Sequence, residues 1–472
     1  MKMIMGGKPV DRPETIDVIN PFDGSLVDTV PRGSAADVKE AIAIAVKGYE
    51  ISRRLPAHKR IDILLKAAAI MKERHEELAR TIAQEGSKTI REARGETTRA
   101  INTITISGEE ARRLDGETIP FDSAPGAENK VGYYYRFPIG IIGCITPFND
   151  PLNLVAHKLG PAIAGGNSVV LKPATVTPLS ALLLGAILLE AGLPGECLSI
   201  ITGYGSEIGD ALVTDPRVRM ISFTGGVEAG EIIASKMGMK KVGMELGSNA
   251  PVIVMDDCDL PAAVASCVSG AFWAVGQNCI GVQRLFVHEK VYDAFRDAFV
   301  AHTRKYKVGY QLDEDTDMGP MIEEKEAARV IEWVRDATDK GATLLTGGTR
   351  EGTLVQPTVL ENMPDSAILH TQEVFGPTVT LYRFSDLSQA IDQANAVDYG
   401  LHGAIFTNDL NNAFLAIKEL DVGSVMVNES TDFRVDLMPF GGVKKSGLGR
   451  EGIRFSLQEM TEPKVVCFNL RQ

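Results

Sequence analysis

The chain has 472 residues, 44% hydrophobic and 24% charged, a length and composition that predict two or three globular domains around sizeable cores. Its net charge of −13 and pI near 5.2 exclude the broad basic face that a nucleic acid or an anionic membrane would need, although a local basic pocket for a phosphate-bearing cofactor remains open. The start, Met1–Val10, has no signal-like apolar core, and the longest apolar run, Ser180–Ala191, is interrupted by Gly185 and closed by Glu190, so neither secretion nor a membrane span is expected.

Amphipathic helices are predicted over Asp37–Tyr49, Ala57–Glu85 and Glu92–Leu114, where apolar positions recur at three and four. Lys130–Phe137 alternates instead, with Val131, Tyr133, Tyr135 and Phe137 on one side, and reads as an exposed-edge β-ribbon. From Ile139 short apolar strands (Ile139–Thr146, Ser168–Leu171, Cys197–Thr202, Met220–Phe223) alternate with helices (Leu152–Ala164, Pro178–Ala191, Ser206–Val213, Ala229–Met237). Such alternation predicts a parallel sheet covered by helices. After a boundary near Leu246–Ala250 a second α/β alternation follows, with strands at Pro251–Val254, Gly281–Val287 and Ser424–Val427 and helices at Leu260–Val275, Glu289–Lys305 and Glu323–Lys340. No fixed-period repeat is present.

The six cysteines form no CxxC pair, which suits reduced thiols in the cytoplasm. The seven histidines show no zinc-ligand spacing, and no metal is expected.

Gly276-Gln277-Asn278-Cys279 lies between an apolar helix and a strand, where a thiol can point into a cleft and attack a carbonyl carbon. Taken alone, a small buried cysteine is the commoner fate of such a residue. Glu245, among apolar neighbours in Met244-Glu245-Leu246-Gly247, could become a general base if burial raised its pKa; a solvent-facing Glu is the plainer alternative. Asn149, in Pro147-Phe148-Asn149-Asp150-Pro151, could donate to an oxyanion or simply make a turn. Gly165-Gly166-Asn167 runs into a strand ending at Lys172, and Phe223-Thr224-Gly225-Gly226 opens a helix, the geometry that presents backbone N–H groups to a pyrophosphate. Neither is GxGxxG, and an ordinary βα turn would look the same.

In this order FPIGIIGCITPFNDP, GGNSVVLKP, SFTGG, MELG, GQNC, EVFGP and PFGGVKKSGLGREG resemble the aldehyde dehydrogenase superfamily across nearly the whole chain. The resemblance implies an α/β fold with a Rossmann-like cofactor domain (1–118 and 139–247), an α/β catalytic domain (248–438) and a small β oligomerisation extension (119–138 and 455–472) that makes a homodimer or homotetramer. It implies that Cys279 is the nucleophile, that Asn149 with the Cys279 backbone N–H forms the oxyanion hole, and that Glu245 activates the water that hydrolyses the thioester. Lys172 and Glu373 would hold the cofactor riboses, Phe375 would pack near the nicotinamide ribose, and Thr224 and Gly225 would follow the pyrophosphate. Thr146, Pro147, Thr175, Phe223, Gly226 and Leu246 would complete the cofactor site.

Three departures from the family's usual pattern stand out: Gly226 for Ser; Ser248 for a second Gly after MELG, followed by Asn249-Ala250 for a basic-Asn pair; and Thr175 for the Glu that favours NAD. The last makes NADP, or both NADP and NAD, the expected cofactor. A carboxylate at 245 favours water over coenzyme A as acyl acceptor, and the intact set of Cys279, Glu245, Asn149 and Lys172 speaks against a catalytically inactive structural homologue.

Asn428-Glu429-Ser430, Phe433-Arg434 and Met438 resemble the lactaldehyde/glycolaldehyde branch, whose relatives include enzymes for phosphonate and sulfonate aldehydes. Arg99 could face the substrate tunnel or be a surface arginine, and Arg434 could join it. Asp150 suggests a polar tunnel that binds a 2-hydroxyl, and Asn278, not Arg, beside the nucleophile weakens the case for a phosphonate. A small 2-hydroxyaldehyde is the first expectation, and an anionic aldehyde (phosphonate, sulfonate or carboxylate semialdehyde) the alternative.

Overall fold

The computed structural model describes residues 1–471. Five parallel strands form the centre of the first sheet: β1 (Ile141–Ile145), β2 (Ser168–Lys172), β3 (Leu198–Ile200), β4 (Val218–Thr224) and β5 (Lys241–Glu245). Their order is β3-β2-β1-β4-β5. The N-terminal hairpin Met3–Met5/Lys8–Val10 extends the β3 edge, and Gly447–Leu448 adds antiparallel to β5, giving eight strands. β2 is buried along its whole length, as a strand covered on both faces must be, and this is why its centre, Val169 to Leu171, reads as an unbroken apolar run.

The second sheet holds β6 (Pro251–Val254), β7 (Arg284–His288), β8 (Thr358–Glu361), β9 (Thr378–Phe384), β10 (His402–Phe406) and β11 (Ser424–Val427), in the order β8-β9-β7-β6-β10-β11 and all parallel, with Thr343–Thr346 antiparallel at the β8 edge. Leu246–Ala250 carries the chain from β5 to β6. Each sheet has its own apolar core; Phe272, Phe295 and Phe299 fill the second.

The sequence-predicted elements of the first sheet form within a few residues of their expected bounds, with three differences. Ala57–Glu85 divides at Arg74 into Ala57–Glu73 and His75–Glu85. No Gly or Pro forces that break; it lets the second piece turn Leu78, Ala79, Ile82 and Ala83 into the core beside the helix Leu179–Glu190. The helix expected at Glu92–Leu114 runs Ile90–Glu110, because Thr89 and Glu92 make a reciprocal capping box that sets its start. Lys130–Pro138 is no edge ribbon. It is the middle strand of a three-stranded antiparallel sheet, flanked by Glu117–Ile119 and Thr461–Asn469. Its alternation reflects one exposed face, where the Tyr133 ring lies 5.8 Å from Tyr135 and 6.3 Å from Phe468. The helix Ile453–Glu459 packs on Asn153–Ala164 and Ile90–Glu110, in the helical layer of the first sheet. No helix among the described residues is long and apolar enough to cross a membrane.

Candidate active site

The carboxyl ends of four strands meet at one level. Register pairs Ile145 with both Lys172 and Phe223, and Thr224 with Glu245. The chain steps outward from β1 through β2 to β3, then returns to the other side for β4 and β5. That reversal opens a crevice beyond the ends of β1 and β4, where open α/β sheets bind ligands.

On the side facing the second sheet lies a cavity of about 450 Å³ whose wall includes Asn149, Glu245 and Cys279 together with Arg99, Asp150, Asn278 and Arg434. Residues up to 335 positions apart thus face one space.

The Cys279 turn is strained. Ala274, Val275 and Gly276 have φ of 50°, 61° and 65°, a left-handed run that is unfavourable for the first two, and a side chain at Gly276 would strike the Gly376–Pro377 backbone. Distant groups hold it. The Ala274 N–H donates to the Glu92 carboxylate (2.8 Å), and the Ile322 N–H donates to the Gln277 side-chain oxygen (3.1 Å). Asn278 uses its side-chain oxygen locally, accepting from the Ile280 N–H at 3.2 Å.

Burial, reinforced by the Glu373 carboxylate, pushes the Cys279 thiol up to about 12, while Arg434 opposes the shift. Burial and then the charge of Glu451 raise Glu245 well above the usual carboxylate range. One oxygen of Glu245 is buried with no hydrogen-bond partner, free for a proton or a water. Glu451 remains ionised. Burial works against it, but Lys158 donates to it (3.0 Å), and His157 and Arg434 add to the same pull.

Lys158, 1% exposed, also donates to the hydroxyls of Ser222 (3.1 Å) and Thr224 (2.9 Å). The Thr224 hydroxyl is therefore committed on the cavity side, which leaves its backbone for any phosphate. Arg434 stacks 3.7 Å above the Phe440 ring and reaches His157 (3.4 Å) and Glu451 (3.5 Å). Arg99 bonds Asp436 (3.2 Å), which also holds Asn153 (3.2 Å) and His157 (3.0 Å). The Nε atoms of Arg99 and Arg434 are both buried without a partner.

Asp150 is not the free acceptor expected. It is ion-paired with Lys88, which is 2% exposed and also binds Glu96 at 2.7 Å. Glu96 in turn accepts from the Leu152 and Asn153 N–H groups at 2.8 and 3.0 Å, capping the helix Asn153–Ala164.

The cofactor candidates ring the crevice. Burial brings the Lys172 ammonium down to about 8, and its Nζ donates to the Pro173 carbonyl. Burial lifts Glu373 to about 8 while it accepts from the Ser248 N–H at 2.8 Å. The Thr146 hydroxyl, just after β1 and next to Pro147, is buried with no partner. Phe375 (φ 44°) meets Phe148 edge-on at 5.8 Å. The helix Val227–Lys236 begins at Gly226 with no side-chain cap, and nothing lies within 4 Å of where a Gly226 side chain would be, so its first N–H groups are open to a phosphate. Phe223 is buried with its ring against Gly225, and Leu246 packs on Gly230. Thr175 donates to the Gly203 carbonyl (3.1 Å) and lines a cleft with Tyr204. A dinucleotide fits this set.

Sequence reasoning missed Lys88, Glu92, Glu96, His157, Lys158, Asp436 and Glu451. For His157 and Lys158 a signal existed, two polar residues in a helix that is otherwise apolar after its first residue, Asn153. Glu451 stood inside the glycine-rich PFGGVKKSGLGREG segment without a role.

The profile of the Aldehyde dehydrogenase family matches residues 9–466. The chain is 51% identical to aspartate-semialdehyde dehydrogenase 1 of Pseudomonas canavaninivorans (96% of this chain, 97% of the other). It is 45% identical to 3-sulfolactaldehyde dehydrogenase of Priestia megaterium (97% and 95%), and 41% identical to lactaldehyde dehydrogenase of Methanocaldococcus jannaschii (99% and 100%). Among solved structures, aldehyde dehydrogenase 21 of Physcomitrella patens with its reaction product succinate superposes with a TM-score of 0.97 at 42% identity (99% and 98%). A glyceraldehyde-3-phosphate dehydrogenase of Methanocaldococcus jannaschii complexed with NADP does so with 0.94 at 40% (98% and 100%). At these identities, over this length, the chain belongs to the aldehyde dehydrogenase family and is an enzyme that oxidises an aldehyde with NAD or NADP.

Proposed function

We propose that the substrate is a short aldehyde with an anionic group, a carboxylate or sulfonate, at the end remote from the carbonyl, and that the product is the free acid. One observation carries this: two arginines, Arg99 and Arg434, both line the cavity that holds Cys279, and each keeps a buried Nε donor without a partner. A buried donor without an acceptor is costly, and two guanidinium groups on one cavity wall give an anionic tail charge-assisted partners. Relatives named for aspartate semialdehyde and 3-sulfolactaldehyde, and a neighbouring structure that holds succinate, support the same chemistry. The neutral 2-hydroxyaldehyde is the second reading. It is favoured by the relative named for lactaldehyde and by the hydroxyls of Ser266, Ser269 and Ser430 in the wall, but it loses Asp150 as a free acceptor.

In this reading the Cys279 sulfur, once deprotonated, bonds the carbonyl carbon while Asn149 and the Cys279 backbone N–H donate to the oxygen. Bound NAD or NADP supplies the hydride acceptor. Loss of hydride from the tetrahedral carbon leaves a thioester on Cys279. Glu245 then takes a proton from a water that attacks the thioester; the carbon–sulfur bond breaks, and acid and thiol are released. Lys172, Glu373, Phe375, Thr146 and the Gly226 helix start would hold the cofactor, and Thr175 in place of a carboxylate favours NADP or use of both. The three-stranded sheet, with Val131, Tyr133, Tyr135, Val465 and Phe468 exposed, is the proposed surface of a homodimer or homotetramer. All six cysteines are unpaired, which fits a cytoplasmic location.

A panel of succinic semialdehyde, lactaldehyde, butanal and hexanal against both cofactors tests this. Succinic semialdehyde should exceed butanal in kcat/KM by about a hundredfold, as two guanidinium contacts warrant. A preference for the alkyl aldehydes would end the proposal.

A further inference from the structure

Asp150 puts a carboxylate in the wall of the substrate cavity, directly after Asn149. Such a charge should repel an anionic aldehyde, so its compensation matters. Arg99 gives little, because its nearer atom is 3.8 Å from Asp150 and its other terminal nitrogen is bound to Asp436 at 3.2 Å. Lys88 is different. Its ammonium is in direct contact with Asp150, lies 4.5 Å above the Trp273 ring, and is almost wholly sealed from solvent. Its second carboxylate partner, Glu96, accepts from Lys88 with one oxygen (2.7 Å) and from two helix N–H groups with the other, away from the cavity wall.

We propose that Lys88, which does not itself line the cavity, is a specificity-determining residue: it cancels the charge of Asp150 and so admits a negatively charged aldehyde past Asn149. It acts through Asp150 and touches no reacting atom. Without it, Asp150 would keep one distant, shared guanidinium, and a like charge would face the tail of the substrate. That tail is remote from the reacting carbon, so the penalty falls equally on bound aldehyde and transition state, and appears in KM, not in kcat.

The proposal rests on an anionic substrate being accepted, yet its test is separate. The experiment compares wild type, Lys88→Met, Asp150→Asn and the double variant on succinic semialdehyde and on butanal, which has the same chain length and no charge. The preference of the wild type between the two tests the substrate reading; the change of that ratio among variants tests the role of Lys88. Lys88→Met should lower the ratio of kcat/KM for the anion to that for the neutral aldehyde by about tenfold or more, mainly through KM. Adding Asp150→Asn should return it to within about threefold of wild type, since both charges are then gone. Asp150→Asn alone should raise it, which decides the matter should Lys88→Met fail to fold. Proportional loss on both aldehydes, a double variant that keeps the low ratio, or an unmoved ratio in Asp150→Asn would overturn the assignment.

Discussion

Replacing Glu92 by alanine removes one oxygen that caps its own helix and another that holds the turn before Cys279. Ala274 and Val275 sit at φ of 50° and 61°, where a residue with a side chain pays about 1–2 kcal/mol, so the turn stores about 2–4 kcal/mol. The bond from the Ala274 N–H to the Glu92 carboxylate, at 2.8 Å and partly buried, contributes about 1.5–3 kcal/mol, as bonds to charged groups do. The two magnitudes are alike, so losing the bond should let a large share of molecules relax the turn and swing the sulfur off line. A misplacement near 1 Å costs about a hundredfold in rate, and kcat should fall by about ten- to a hundredfold. Glutamine separates the two functions. It keeps an acceptor for Ala274 but cannot also accept from the Thr89 N–H (2.8 Å), so it should cost about 1 kcal/mol of stability and leave kcat within about threefold. The assay combines thermal melting, kcat, and the rate at which iodoacetamide alkylates Cys279. If the alanine variant merely melts earlier, with normal kcat and alkylation, Glu92 does not position the nucleophile and the strain argument is wrong.

Four further outcomes are expected. Cys279→Ala should abolish oxidation while the melting temperature stays near that of wild type; residual turnover in a clean preparation would displace Cys279 as nucleophile. Glu245→Gln should keep a stoichiometric burst of reduced cofactor but slow the steady state by about 10²–10⁴-fold, because only hydrolysis needs its base. If added coenzyme A, not water, governed the steady state, the water-based reading would fail. Burial and the Glu451 charge both hold a proton on Glu245, so Glu451→Gln should move the acid limb of kcat to lower pH; a limb that stays put would remove that coupling. Burial also lifts Glu85 from 4.5 to about 7, despite bonds from the Ser180 side chain and the Leu179 N–H. A carboxyl raised on folding stabilises the folded chain fully below 4.5 and loses that contribution as pH climbs through about 7. Denaturant unfolding at stepped pH should show this decline in wild type and a flatter profile in Glu85→Gln.

The three residues proposed to act on the carbonyl were legible because each stands in a short segment whose neighbours are informative: a glycine before Cys279, apolar residues around Glu245, prolines around Asn149. The first sheet was legible for a related reason, since strands buried on both faces write themselves as apolar runs between glycines. β8, β9 and β10 escaped because Thr358, Thr378, Thr380 and His402 interrupt their apolar runs, though all four are buried in the sheet. The support of the site was not legible. Lys88, Glu92 and Glu96 look like the polar face of an exposed helix start, and only tertiary packing turns that face inward. The same applies to Asp150, whose charge is plain in the sequence and whose partner, 62 residues earlier, is not.

Glu92, Glu96, Arg99 and Thr103 follow a spacing of four, three and four, which sets them along one face of the helix Ile90–Glu110. In that order they hold the Ala274 N–H, the start of the helix Asn153–Ala164, Asp436, and the Asn153 side chain. Stability does not require such a stripe, since well-packed apolar side chains in its place would often stabilise a fold as much or more. Apolar contact is non-directional, however, and would let three loops from three distant stretches of chain settle in several arrangements. Hydrogen bonds with fixed donors and acceptors permit one. The polar stripe therefore trades stability for position: it references the Cys279 turn, the Asn149 loop and the arginine-bearing segment near residue 434 to a single rigid rod. Reactive groups carried on loops can then meet around one carbon with the precision that the chemistry demands.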